Sequence, residues 1–210
     1  EREMAMASYR QALTYFRAVG DRLDEANVLK AIGDVQQFRD ERDAALVNYE
    51  EALQLFRAVG DRLGEANVLK AIGDVLQSRN EWDAALVSYE GAFRLFRVVD
   101  SKLGEAHVLK SIGDTQRYHN EMDAALTSYQ QAIMFFRAVG DRLDEANVLK
   151  AIGDAQQFRK EMDAALKSYE EALALYRAVG DRLGEANVLV ALSRLALQSD
   201  NVEDAERRLE

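Results

Sequence analysis

The chain rewrites itself every forty residues, and that period constrains its folding more than any other feature. The segment Asp61–Asp100, DRLGEANVLKAIGDVLQSRNEWDAALVSYEGAFRLFRVVD, returns with small changes as Asp21–Gly60, Ser101–Gly140 and Asp141–Gly180. A half unit, residues 1–20, precedes these and a partial unit, residues 181–210, follows, so nothing lies outside the array. The first and fourth full units differ at seven positions only, among them Asp40/Lys160 and Phe56/Tyr176. A fixed period of this size marks supersecondary units that cannot bury their apolar faces alone and stack to share one core. We therefore expect one elongated domain over residues 1–210.

Within each unit the apolar spacing predicts two helices. Leu23, Ala26, Leu29, Ile32 and Gly33 form one stripe, and Leu46, Tyr49, Ala52, Leu53 and Phe56 form a second, with a break near residues 39–43. Proline is absent, so no residue forbids helix and an all-α chain is expected. The half unit 1–20 reads as one helix with Met4, Tyr9, Leu13 and Phe16 in its stripe and Gly20 at its end, Tyr9 and Phe16 lacking a covering partner. Asp21 is placed as an N-cap, and Asp40, Asn80 and Asn120 as caps of the second helices, a role that Lys160 in the fourth unit does not fit.

Gly33 recurs as Gly73, Gly113 and Gly153 in mid-helix, where glycine costs about 1 kcal/mol against alanine. A close approach of the two helices, with Ala45 and Ala52 facing the glycine, is the expected compensation. Gly64 is read as an ordinary helix-boundary glycine. In the last unit Val190, Ser193 and Arg194 replace the lysine, glycine and aspartate of the others, and the segment after Asp200 is too short for a second helix.

These residues resemble the tetratricopeptide repeats, whose pattern is W-x2-L-G-x2-Y…A-x3-F…P over two antiparallel helices. The matching positions of the first full unit are Leu29, Ile32, Gly33, Gln36, Ala45, Tyr49, Ala52 and Arg57. Arg57 in place of the proline predicts a second helix running on to about Val59 before Gly60 stops it. The period and the phrase RAVGDRLGEANVLKAIGD are similar to the forty-residue subclass found in polarity scaffolds and in sensor regions of bacterial signalling ATPases. The resemblance implies an all-α, right-handed α-solenoid of antiparallel helix pairs serving as a protein-binding module.

Composition narrows the function classes. A net charge of −10, with signs interspersed, argues against a surface made to neutralise phosphates, so no nucleic-acid partner is expected. Cysteine is absent, and His107 and His119 stand too far apart to make a two-histidine metal site alone; no metal, cofactor or catalytic constellation is expected. No apolar run approaches the roughly eighteen residues that span a bilayer. The chain reads as a cytoplasmic, non-membrane fragment of a longer protein, with a final Leu-Glu in the manner of a cloning scar.

The candidate binding residues follow from helical spacing. Asn27, Lys30, Asp34 and Gln37 fall three or four residues apart and share one face of the first helix. The row repeats as Asn67, Lys70, Asp74 and Gln77, as His107, Lys110, Asp114 and Arg117 with the adjoining Tyr118, and as Asn147, Lys150, Asp154 and Gln157. Asn187 and Arg194 continue it in the last unit. By the resemblance this face is concave, and ladders of amide, cation and carboxylate suit an extended or helical peptide. Against this stands the simple reading that Lys30 and Asp34 neutralise each other. The alternative function is a structural spacer or self-association array, with partners at its ends or convex side and end-to-end contact through the exposed terminal helices.

Overall fold

The computed structural model describes residues 2–207, and among them every regular element is a helix. In chain order these are α1 (Arg2–Val19), α2 (Arg22–Phe38), α3 (Arg42–Val59), α4 (Arg62–Ser78), α5 (Trp82–Val98), α6 (Lys102–Tyr118), α7 (Met122–Val139), α8 (Arg142–Phe158), α9 (Met162–Val179) and α10 (Arg182–Arg207). Even-numbered helices α2 to α8 are the first helices of the repeats and α3 to α9 the second. The chain is an α-solenoid of antiparallel helix pairs. Its contacts divide it into two compact units, Glu1–Ser111 and Ile112–Glu210, parted inside α6.

Two kinds of turn alternate, and both use a left-handed residue. After α3, α7 and α9 the residue is glycine, Gly60, Gly140 and Gly180, with φ of 75°, 75° and 76°. In each case the next amide closes the helix end by bonding five residues back, as Asp61 N does to the Phe56 carbonyl at 3.0 Å. Asp61 then turns to the following helix, its carboxylate accepting from the amides of Leu63 and Gly64. Asp21 and Asp141 act likewise. Helix α3 does run to Val59 before Gly60, as the missing proline implies.

The turn inside each repeat differs from the sequence expectation. Asp40, Asn80, Asn120 and Lys160 are not N-caps; they hold φ of 63°, 61°, 67° and 63°. The N-cap positions are Glu41, Glu81, Glu121 and Glu161, none of which makes a side-chain cap bond. Asp and Asn recur before them because they tolerate the left-handed conformation, which costs other side chains roughly 1–2 kcal/mol. Lys160 remains the poorest of the four, for that reason and not for want of a cap. Asp100, at φ 54°, stands where other repeats use glycine.

Packing in both units rests on aromatic rings pressed onto glycines. Tyr49, Tyr89, Tyr129 and Tyr169 are fully buried. A Cβ added at Gly33, Gly73, Gly113 or Gly153 would lie 2.5 to 2.6 Å from the ring of the tyrosine sixteen residues on. The mid-helix glycine is thus a socket for a tyrosine of the second helix, while Ala45 and Ala52 lie buried beside it. A second series joins one repeat to the next. Phe56, Phe96 and Tyr176 cover Gly64, Gly104 and Gly184, so Gly64 belongs to the core seam and is no boundary glycine. Arg57 to Glu65, Arg137 to Glu145 and Arg177 to Glu185, at 2.6 to 2.7 Å, brace the same junction from the surface.

The ends depart from the pattern. Tyr9 and Phe16 are half-buried where Tyr49 and Phe56 are buried, and Met4 is exposed; Leu23, placed in an apolar stripe by its spacing, is exposed as its equivalents Leu63, Leu103 and Leu143 are in every repeat. Helix α10 shows no break near Asp200 and continues to Arg207. The tyrosine socket is lost there. Ser193 replaces its glycine, and Val190 and Arg194 replace the two polar residues beside it.

Candidate functional site

Each row residue sits on its first helix, and the tyrosine knobs reach the same face from behind. Lys30 pairs with Asp34 at 2.6 Å, Lys70 with Asp74 at 2.8 Å and Lys150 with Asp154 at 2.8 Å. The Oδ1 atom of each of these aspartates, and of Asp114, accepts the hydroxyl of the packed tyrosine: Tyr49 to Asp34 and Tyr89 to Asp74 at 2.8 Å, Tyr129 to Asp114 at 2.7 Å and Tyr169 to Asp154 at 2.9 Å. The aspartate therefore secures the tyrosine in its socket and holds the lysine. Its spacing in sequence gives the ion pair; the tyrosine, fifteen residues later, is the partner that helical spacing alone does not reveal.

Several other row residues are also drawn into the scaffold. The side-chain oxygens of Gln37 and Gln157 lie 2.9 and 3.0 Å from the hydroxyls of Tyr49 and Tyr169 and share with the aspartates the single proton that each hydroxyl donates. Arg117 donates to the Tyr129 hydroxyl at 3.3 Å, and its guanidinium lies 4.5 Å from the ring centre of Tyr118, a cation–π contact on an exposed tyrosine. Asn147 donates to Asp144 at 2.9 Å and accepts the hydroxyl of Tyr176 at 2.7 Å, while Asn27 reaches Asp24 at 3.4 Å. His107, Lys110, Asp114 and Gln77 lie half-buried on the face. Asn67, Asn187 and Arg194 are exposed and bond to no described residue.

Burial in this polar setting shifts the phenols. Loss of water around Tyr49, Tyr129 and Tyr169, followed by the negative charge of Asp34, Asp114 and Asp154 respectively, pushes each hydroxyl's pKa far above the usual tyrosine range. Asp74, from the next repeat, adds in the same direction to the effect on Tyr49. Tyr176 is pushed up to about 12 by burial, with Asp181, Asp154 and Asp144 contributing.

First helices of consecutive repeats touch, α2 with α4 and α8 with α10. In the second unit this contact makes a hollow of about 400 Å³, lined by Lys150, Asp154 and Gln157 of α8 and by Asn187, Val190, Ala191 and Arg194 of α10. Five of these seven are row residues, brought together as their register requires. Gln157 also donates to Gln198 of α10 at 2.8 Å. Sequence reasoning passed over Phe38 and Phe158, exposed at the register of Tyr118 along the same helix ends. Their recurrence at one place in the period was the signal. Among the described residues, no group of three or more His, Cys, Asp or Glu side chains is placed to hold a metal, and no helix is long and apolar enough to cross a membrane.

No curated protein matches the chain in sequence. Solved structures match it in fold. The apo form of RapI superposes with a TM-score of 0.85 at 15% identity, over 99% of this chain and 79% of that one. Aspartyl phosphate phosphatase F from Bacillus subtilis gives 0.81 at 12% identity, over 94% of this chain but only 54% of its own length. A Rap protein complexed with competence and sporulation factor gives 0.74 at 13% identity, over 95% and 61%. The repeat description that matches in sequence is the tetratricopeptide repeat, over residues 38–97, 64–138 and 144–210. The match spans most of the chain, which belongs to the tetratricopeptide-repeat family.

Proposed function

We propose that the chain acts as one repeat array whose first-helix face takes an extended segment of a protein partner, without catalysis of its own. The observation that carries this reading is the convergence of row residues from α8 and α10 on one polar hollow of about 400 Å³. That size falls within the roughly 300–1,000 Å³ typical of ligand pockets. Lysines already neutralised by aspartates contribute donors at little electrostatic penalty, and the exposed amides of Asn67 and Asn187 have both donor and acceptor to offer a peptide backbone. A protein of the same fold is known in complex with competence and sporulation factor, which supports a binding role for such an array.

Charge reversal at Lys70 is a poor test, because Lys70 holds the aspartate that secures Tyr89. Asn187→Arg is better, since Asn187 lines the hollow, is exposed and bonds to no described residue. Peptides selected from a random displayed library against the unaltered protein are expected to bind this variant roughly tenfold more weakly, with helicity unchanged by circular dichroism. Undiminished binding of every selected peptide would overturn the hollow between α8 and α10 as the binding place.

A further inference from the structure

Resting on the first-helix reading, a narrower assignment follows from what α10 lacks. In α2, α4 and α8 the aspartate of the row is engaged twice, by a lysine one turn earlier and by a tyrosine hydroxyl. Helix α10 has replaced all three residues that make the socket, and at the aspartate's place the charge is reversed to Arg194. Arg194 is exposed and forms no ion pair with any described residue. It lines the hollow beside Lys150 and Asp154, which neutralise each other at 2.8 Å. Asp154 is further occupied by Tyr169. Among the described residues the charge left uncompensated in the hollow is therefore positive, and it is a guanidinium, whose planar fork matches a carboxylate.

Asn187 sits seven residues before Arg194, two turns along the same face of α10, at a helical rise that separates them by about 10 Å. An extended peptide covers that distance in roughly three residues. We propose that the hollow between α8 and α10 binds an acidic side chain of an extended peptide, Arg194 pairing with the carboxylate while Asn187 bonds the peptide backbone about three residues away. Val190 and Ala191, on the hollow's wall, give an intervening residue of the peptide an apolar seat.

The test is selection of a random peptide library, displayed as fusions through the peptide C-terminus so that every free carboxylate is a side chain, followed by binding to Arg194→Glu. Arg194 carries no packing role, and circular dichroism checks that the variant keeps its helicity. The selected peptides are expected to share an aspartate or glutamate at one position and to lose roughly tenfold or more in affinity for Arg194→Glu. Changing that acid to its amide should abolish the difference between the two proteins. Peptides without a shared acid, or with equal affinity for both proteins, overturn the assignment. If such peptides still lose affinity for Asn187→Arg, the first-helix reading stands without it; recovery of no peptide removes both.

Discussion

Gly73→Ala is expected to lower stability by roughly 1–3 kcal/mol, even though alanine in an exposed helix interior gains about 1 kcal/mol over glycine. The new Cβ would lie 2.6 Å from the ring of Tyr89, which is fully buried and tethered through its hydroxyl to Asp74. The ring has no free direction to move, so either the helices part or the tyrosine leaves its socket. Gly91→Ala, on the helix that carries Tyr89, is expected to have the opposite sign. Its Cβ would meet only the tip of Leu69, at 3.2 Å, and the other repeats have Glu51, Gln131 and Glu171 at this place. A gain of up to about 1 kcal/mol follows from helix propensity. Urea titration followed by far-ultraviolet circular dichroism measures both; a stabilised Gly73→Ala would show that the glycine is not a socket.

Alkali is expected to unfold the protein cooperatively, through the same knobs. The folded pKa values of Tyr49, Tyr129, Tyr169 and Tyr176 all lie above the ordinary tyrosine value. The folded state therefore retains protons that the unfolded chain gives up, and this contribution to stability is fully present below about pH 10. It is lost as pH rises from there through the raised folded values, beginning with Tyr176 at about 12. The thermal midpoint should hold level to roughly pH 10 and then fall steeply, with tyrosinate absorbance appearing together with the loss of helix. Replacing Tyr169 by phenylalanine should make the fall shallower. A midpoint unchanged well into the tyrosine range, with phenolates formed in a folded protein, would contradict the burial of these hydroxyls beside carboxylates.

The fold was legible because local and global signals agree. Period, apolar stripes and Gly60-type stops each point to antiparallel helix pairs, and α3 ends where Arg57 and Gly60 say it should. What escaped the sequence was pairing across helices. Asp34 is plainly within reach of Lys30, one turn away, but its tie to Tyr49 needs the register between α2 and α3. Gly64 was read as a boundary residue for the same reason, since the ring of Phe56 covers it only once α3 and α4 are packed. The caps failed differently. Asp and Asn suit both an N-cap and a left-handed turn residue, and composition alone does not separate the two roles. In the site, Asn147 and Gln157 proved to be shared with the scaffold, while Asn67, Asn187 and Arg194 are exposed and bond to no described residue.

The most direct measurement of the central claim is amide hydrogen exchange with and without a selected peptide. The first helices carry the row, so protection on binding is expected in the even-numbered helices, strongest in α8 and α10 around Lys150–Gln157 and Asn187–Arg194. The second helices α3, α5, α7 and α9 should exchange as before. Protection confined to those second helices, or to α1 alone, would contradict a binding face built from first helices.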